Sequence, residues 1–308
     1  MANIIAIVWD FDKTLVDGYM QDPIFKHYDV NAKDFWDEVN SLPHKYQEEQ
    51  GVLVNPDTIY LNQFIYYAKN GKFKGLTNKK LEEFGKELKF YPGVPEIFKE
   101  TKKLIEENPI YKEYDIHVEH YIVSTGMTQI IRGSSVMPYV EHVWGCELIE
   151  GKDKDGDPCI SEIGYTIDNT SKTRALFEIN KGVHRQDADG VDVNTKIPEE
   201  ARRVHFINMM YVADGPSDIP AFSVINQYGG ATFAIYPKGN MEAMKQVEQM
   251  RADGRINMYA EANYTEGTTA YMWICNKITE FADRIREDEK NKLAKFAAAG
   301  TPKHLVDN

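Results

Sequence analysis

Apolar residues run without interruption from Ile4 to Trp9, the pattern of a strand buried on both faces of a parallel sheet. The run stops at Asp10-Phe-Asp12-Lys-Thr14-Leu. From about Asp17 to Lys89 the spacing becomes helical: Phe35, Trp36, Val39 and Leu42, then Ile59, Phe64 and Tyr67, then Leu81, Phe84 and Leu88. This predicts a set of short helices inserted after the first strand. Tyr91-Pro92-Gly93-Val94-Pro95 opens a further helix with the apolar face Val94, Ile97, Phe98, Thr101, Leu104 and Ile105, its prolines standing where a helix start tolerates them.

Strand and helix then alternate. A strand over about His117–Val123 ends at Ser124-Thr125-Gly126, where glycine allows a tight turn into a helix over about Met127–Met137. Extended runs Trp144–Glu150 and Ile160–Tyr165 flank the polar cluster 152–157 and predict a hairpin. Counted from Asp153, that cluster has its glycine fourth rather than sixth and no closing Glu, so it is read as a turn rather than a calcium loop. A helix over Ser171–Asn180 and an irregular polar stretch Lys181–Arg203 precede a strand over about Asn208–Ala213, which runs into Asp214-Gly-Pro-Ser-Asp218. A strand at Ala231–Tyr236, a helix from about Asn240, a strand near Ile256–Ala260 and a terminal helix over about Glu266–Glu289 complete the pattern, with a frayed tail expected after Ala299. The expected fold is α/β, a Rossmann-like, doubly wound parallel sheet with a helical cap inserted after the first strand. Residues 1–17 and 90–308 would form the core and 18–89 the cap.

With 308 residues the chain can bury a sizeable core, and its charge of −12 disfavours a nucleic-acid partner. Cys146, Cys159 and Cys275 are too dispersed for a Cys-x-x-Cys site. No apolar run approaches a membrane span and no basic leader precedes Ile4. A cytoplasmic protein without membrane partners is expected, and homo-oligomerisation is left open.

Open parallel sheets bind ligands at the carboxyl ends of their strands. Asp10, Asp12 and Thr14, then Ser124, Thr125 and Gly126, then Asp214 and Asp218, all lie just past such ends. One such Asp is an ordinary cap or turn former, but three clusters at equivalent positions predict a shared crevice. Crowded carboxylates need a cation, and an all-oxygen set suits magnesium. Of two paired acids, one can attack phosphorus and the other protonate the leaving oxygen. The Ser124 hydroxyl and the amides around Gly126 suit phosphoryl oxygens, and Lys172 adds a positive charge.

These motifs, in this order, resemble the four motifs of the haloacid dehalogenase (HAD) superfamily. The helical insertion, the Tyr-Pro-Gly-Val re-entry and the hairpin before Lys172 are similar to its phosphoserine-phosphatase-like branch. The resemblance implies that Asp10 is a nucleophile forming an aspartyl-phosphate. Asp12 would be the general acid and then base, and would bind Mg2+ through its carbonyl. It implies further that Ser124, with Thr125 and Gly126, holds the phosphoryl group, that Lys172 steadies it and Asp10, that Asp214 ligates the metal with Asp218 in support, and that Thr14 braces the loop. Ala213 departs from the family's usual Gly, a small change.

The expected function is a magnesium-dependent phosphatase of a small phosphorylated metabolite. The rivals are a phosphotransferase or mutase using the same intermediate and a non-catalytic phosphometabolite-binding protein; dehalogenation is disfavoured because those enzymes lack the second Asp. His184 and Arg185 are expected at the surface on the amino side of the sheet, His117 and His120 at the core edge or surface, and Lys238 at the active end. Residues 17–89 hold twelve aromatic residues, and no Arg precedes Arg132, so the cap lacks a bidentate carboxylate clamp. Tyr19 stands where the resembling phosphoserine enzymes carry a substrate-binding Glu. Phosphoserine is therefore expected to be a poor substrate beside a nucleotide, a phosphosugar or a phosphorylated amino alcohol, with Tyr19 and Tyr28 as stacking candidates.

Overall fold

The computed structural model describes residues 3–185, 188 and 190–299; the tail after Ala299 lies outside them, as do Gln186, Asp187 and Asp189 of the polar segment. The first apolar run is strand β1 (Asn3–Trp9). Four helices follow, α1 (Asp22–His27), α2 (Ala32–Gln50), α3 (Ile59–Lys69) and α4 (Asn78–Gly85). Asn31 and Thr77 cap α2 and α4 by accepting the amides of Asp34 and Lys80. Then come α5 (Glu96–Glu106), α6 (Pro109–Lys112), β2 (Ile116–Met127), α7 (Thr128–Gly133), β3 (His142–Lys152), β4 (Pro158–Tyr165) and α8 (Lys172–Lys181). The chain closes with β5 (Met209–Ala213), α9 (Ile219–Gln227), β6 (Ala231–Tyr236), α10 (Met241–Ala252), β7 (Met258–Glu261) and α11 (Thr269–Ala299).

The strands form one sheet in the order β4-β3-β2-β1-β5-β6-β7. Every pairing is parallel except that of β3 with β4, which is the expected hairpin. The expected α/β, Rossmann-like architecture is therefore present. Chain order runs outward from β1 in both directions, first through β2 and then through β5, which makes the carboxyl end of β1 a topological switch point. Trp9 is in register with Ile122 on one side and Val212 on the other, so the residues following all three strands emerge at one level. No helix among the described residues is long and apolar enough to cross a membrane.

The helices α1–α4 pack around their own aromatic centre, with Phe25 and Phe35 rings 4.9 Å apart, Phe35 and Phe64 5.0 Å, and Phe64 and Phe73 5.1 Å. Tyr28 belongs to this packing, 5.1 Å from Phe73 with its hydroxyl donating to the Lys74 carbonyl. It is a structural ring, and the expectation that it lies near the crevice is corrected. The unit also grips the hairpin: the Ile160 amide donates to the Leu76 carbonyl at 2.8 Å, and the Asn78 side chain donates to the Leu148 carbonyl. At its base two connections run side by side, the Asp17 amide donating to Lys89 and the Tyr91 amide to Leu15.

Several boundaries differ from expectation. β2 continues to Met127, so α7 starts at Thr128 and is only six residues long. Leu104 is exposed, off the buried α5 face of Ile97, Phe98, Thr101 and Ile105. The α11 face of Ile274, Ile278, Phe281 and Ile285 is buried as expected, and Tyr271 is half-buried. His184 is half-buried rather than on the surface, its ring 5.2 Å from Tyr121 and 5.5 Å from Trp144. Beside it Arg203 forms a paired contact with Glu119 of β2. These groups lie toward the amino end of the sheet, away from the crevice. Arg185 is exposed.

His120 is the larger correction, because it is fully buried. Its Nδ1 accepts the Trp9 indole N–H at 3.1 Å, and its Nε2 lies 3.0 Å from the Thr101 hydroxyl and 3.2 Å from the Phe98 carbonyl. Accepting at Nδ1 requires the Nε2–H tautomer, so a second proton would put two N–H groups face to face. Burial first, then Lys102, lowers its pKa from 6.5 to about 3. The unfolded chain therefore takes up this proton first, and stability present above pH 6.5 is lost as the pH falls below it. Between neutrality and pH 5, His120 alone should cost about 2 kcal/mol. Urea titrations at both pH values should show that much less acid sensitivity in His120→Asn than in the wild-type protein; equal sensitivity would refute the assignment. His117, by contrast, is exposed beside Asp115.

Candidate active site

The three central strands deliver the polar clusters to one place. Asp10 follows β1, its amide donating to the Val212 carbonyl at 2.9 Å. Its carboxylate is held at both oxygens, Oδ1 accepting from Lys172 Nζ at 2.8 Å and Oδ2 from the Thr14 hydroxyl at 3.0 Å. Thr14 is braced in turn by Tyr264, whose hydroxyl donates to the Thr14 carbonyl at 2.7 Å. Lys172 begins α8 and is 1% exposed. A second bond, 2.7 Å to Asp218 Oδ1, makes its ammonium a bridge between two carboxylates. Tyr211 also donates to Asp218 Oδ1, and Ser217 to Oδ2, so Asp218 is fully engaged in fixing Lys172.

Oxygen atoms of Asp10, Asp214 and Asp218 lie within 4.8 Å of one another. Burial and then the neighbouring charge of Asp10 push Asp214 up to about 7. Burial also holds Asp10 above the usual carboxylate range against the pull of Lys172. Burial works against the Lys172 ammonium, yet Asp10 and Asp218 together hold its pKa above the ordinary value. Among the described residues, four carboxylates (Asp10, Asp12, Asp214, Asp218) share this crevice with two ammonium groups, those of Lys172 and Lys13. Fully ionised, the set carries an excess of two negative charges on hard oxygen donors, which fits a divalent cation such as magnesium.

Asp12 points differently. Its Oδ1 accepts the Met20 amide at 2.8 Å, which turns it toward the helical insertion. Burial, then the Asp10 charge, keeps it well above the ordinary range, so it retains a proton where an exposed Asp would not. Lys13 takes a left-handed backbone conformation (φ 58°) and places its ammonium 4.2 Å over the Tyr19 ring.

Ser124 is buried, and its Oγ accepts the Gly126 amide at 3.0 Å. Gly126 is not in a left-handed turn, contrary to expectation. A Cβ there would overlap the Met20 Sδ and Cε atoms, so any larger residue would have to push the end of that side chain aside. The Thr125 carbonyl accepts the Tyr60 hydroxyl at 2.7 Å. Lys238 is exposed in the turn after β6.

Sequence reasoning did not find Met20, Tyr60, Tyr211 or Tyr264. Tyr60 shares a helical stripe with Phe64 and Tyr67 that reads as packing, and Met20 falls in a turn with no periodicity. Tyr211 and Tyr264 carry no signal apart from their rings.

Sheet order and the placement of the polar clusters give the chain an α/β, Rossmann-like fold. It is 36% identical over 289 residues to a protein of Borreliella burgdorferi described only as uncharacterized, covering 90% of this chain and 97% of that one. The chain belongs to the same family as that protein. No protein-family model matches it. Similar solved structures include a HAD family hydrolase from Salmonella enterica serovar Typhi (TM-score 0.48, 13% identity, 84% of this chain and 67% of that). Others are phosphoserine phosphatase in its apo form (0.48, 15%, 83% and 92%) and cytosolic 5'-nucleotidase IIIB bound to cytidine (0.47, 14%, 93% and 88%).

Proposed function

We propose that the chain is a magnesium-dependent phosphatase of small phosphomonoesters, with residues 18–89 acting as a cap over a core formed by 1–17 and 90–308. The observation that carries this reading is the Asp10–Lys172–Asp218 bridge at the switch point, with Asp214 and Asp12 beside it. Asp10, Asp214 and the Asp12 carbonyl would hold the cation, which supplies charge neutralisation for an anionic substrate meeting an anionic nucleophile. A carboxylate oxygen of Asp10 attacks phosphorus, and the ester P–O bond breaks. The protonated Asp12 gives its proton to the leaving oxygen. Asp12, now ionised, takes a proton from a water that attacks the aspartyl-phosphate, releasing orthophosphate and restoring Asp10. Lys172 keeps the nucleophile oriented throughout, and Ser124 with the amides of Gly126 and Met127 receives the phosphoryl oxygens.

The test is hydrolysis of a phosphomonoester panel with magnesium and with EDTA. Turnover should require the metal, and phosphoserine should rank below nucleotides, phosphosugars and phosphorylated amino alcohols, since Tyr19 with its Lys13 contact replaces an acidic substrate anchor. Full activity in metal-stripped protein would sink the metal assignment, and a phosphoserine kcat/KM above all others would overturn the specificity. Magnesium should also be read without turnover. The raised Asp214 pKa means that the folded, metal-free chain holds a proton longer than the unfolded one, so this group's contribution to stability falls as pH rises from 3.8 through about 7. The gain in urea midpoint on adding magnesium should therefore grow over that interval, and a constant gain would argue against binding at Asp214.

A further inference from the structure

The seat just assigned to the phosphoryl group is occupied by the protein itself. Met20 is fully buried. Its Sδ accepts the Met127 amide at 3.2 Å, while the Gly126 amide is satisfied by Ser124 Oγ at 3.0 Å. Both backbone donors of the seat are thus in use. The end of the Met20 side chain lies directly on Gly126, in space that any Cβ there would take. Its backbone amide holds Asp12 at 2.8 Å, so the residue that fills the seat also touches the proton donor. The loop that brings it there turns at Gly18 (φ 124°), and the Lys13 amide donates to the Gly18 carbonyl at 3.0 Å. The Tyr60 hydroxyl, bonded to the Thr125 carbonyl, closes the same strip from α3.

The contact is built to be exchanged. A thioether sulfur is a weak acceptor, whereas an anionic oxygen forms bonds about twice as strong as neutral ones. A methionine side chain has three rotatable bonds and repacks readily. A phosphoryl oxygen arriving at the Met127 amide therefore replaces a poor acceptor with a good one.

We propose that Met20 is a displaceable plug: it keeps the phosphoryl seat closed and dry around Asp10 and Asp12 until a phosphorylated ligand pushes it out. The proposal rests on the phosphatase reading of this seat, and two measurements test it with orthophosphate as the probe and magnesium present. The first is the rate of methionine sulfoxide formation under dilute peroxide, followed by peptide mass spectrometry. Met241 and Met272, 61% and 55% exposed, are internal fast references, and the fully buried Met209 and Met210 report unfolding. In the free protein Met20 should react roughly tenfold more slowly than the exposed pair, as expected of a plug open about one-tenth of the time, and speed up with orthophosphate while the other four do not change.

The second is orthophosphate affinity by calorimetry. Met20→Ala removes the plug and should bind about tenfold more tightly, the gain expected when a state closed roughly nine-tenths of the time is released. Met20→Leu, which fills the space without an acceptor, should shift the same way and serves if the alanine variant folds poorly. A Met20 rate indifferent to orthophosphate, or variants that bind it no better than wild type, would overturn the plug. Turnover with Met20 still protected would do so while leaving the phosphatase reading intact. Orthophosphate-driven exposure of Met20 without hydrolysis of any ester would uphold the plug and overturn the phosphatase instead.

Discussion

Asp10→Asn is expected to lower kcat by roughly 10^4-fold or more, because an amide is a poor nucleophile and no other carboxylate in the crevice can take its place. Asp218 is saturated by Lys172, Tyr211 and Ser217, Asp12 is turned toward the insertion by the Met20 amide, and Asp214 is committed to the cation in the proposed mechanism. The fold should survive: the amide is nearly isosteric, its carbonyl can still accept from Lys172 while its NH2 donates to the Thr14 hydroxyl, and Lys172 also keeps Asp218 as a partner. Circular dichroism and urea midpoint should accordingly stay close to wild type while a sensitive phosphate-release assay falls to background. Residual activity within a few-fold of wild type would remove Asp10 from the nucleophile's role. In the wild-type protein, rapid quench with substrate and then intact mass measurement should show one added phosphoryl group, which Asp10→Asn should lack.

Much of this arrangement is legible in the sequence, for a simple reason. A strand buried on both faces has to be written as an unbroken apolar run, and Ile4–Trp9 is one. In an open parallel sheet the residue just past such a run faces the ligand, so the position of Asp10 is set by where the apolar residues stop. The same holds for Ser124, which follows the apolar run of β2, and for Asp214 after β5. The sequence does not show why particular small or aromatic residues stand nearby. Gly126 reads as a turn glycine, since a missing Cβ has two uses and only the neighbouring Met20 side chain distinguishes them.

At His120 the pattern and the polarity point in opposite directions, and the pattern is right. Val118, His120 and Ile122 alternate with Glu119, Tyr121 and Val123 along a strand covered on both faces, so the imidazole has to be inside, and only its polarity argues otherwise. His184 carries no such signal, because its burial depends on Tyr121 and Trp144 from strands distant in sequence. The position of α7 shows another limit. Strand β2 pairs with β3 as far as Val123 and, after an irregularity over 124–126, pairs again at Met127 opposite Cys146, and that tertiary pairing delays a helix whose local pattern would start it earlier.

The second large effect is expected at Lys172. Its ammonium is enclosed between Asp10 and Asp218, which are themselves 6% and 0% exposed. Lys172→Met keeps the length and removes the charge, leaving two carboxylates close together with the nearest cation gone. Removing one member of a buried ionic cluster costs about 3–5 kcal/mol, mostly the uncompensated charge left behind. In EDTA near pH 7.5 the urea midpoint should fall by an amount of that order. Because each orphaned carboxylate can escape the penalty by taking a proton, the deficit should shrink as the pH is lowered, and the difference between variant and wild type isolates this from the acid sensitivity of His120. Adding Asp218→Asn in the same chain should recover part of the loss, since one orphaned charge is then replaced by an amide that Tyr211 can still reach. A Lys172→Met protein as stable as wild type at every pH would mean that the bridge is incidental, and that Asp10 and Asp218 do not both ionise in the folded chain.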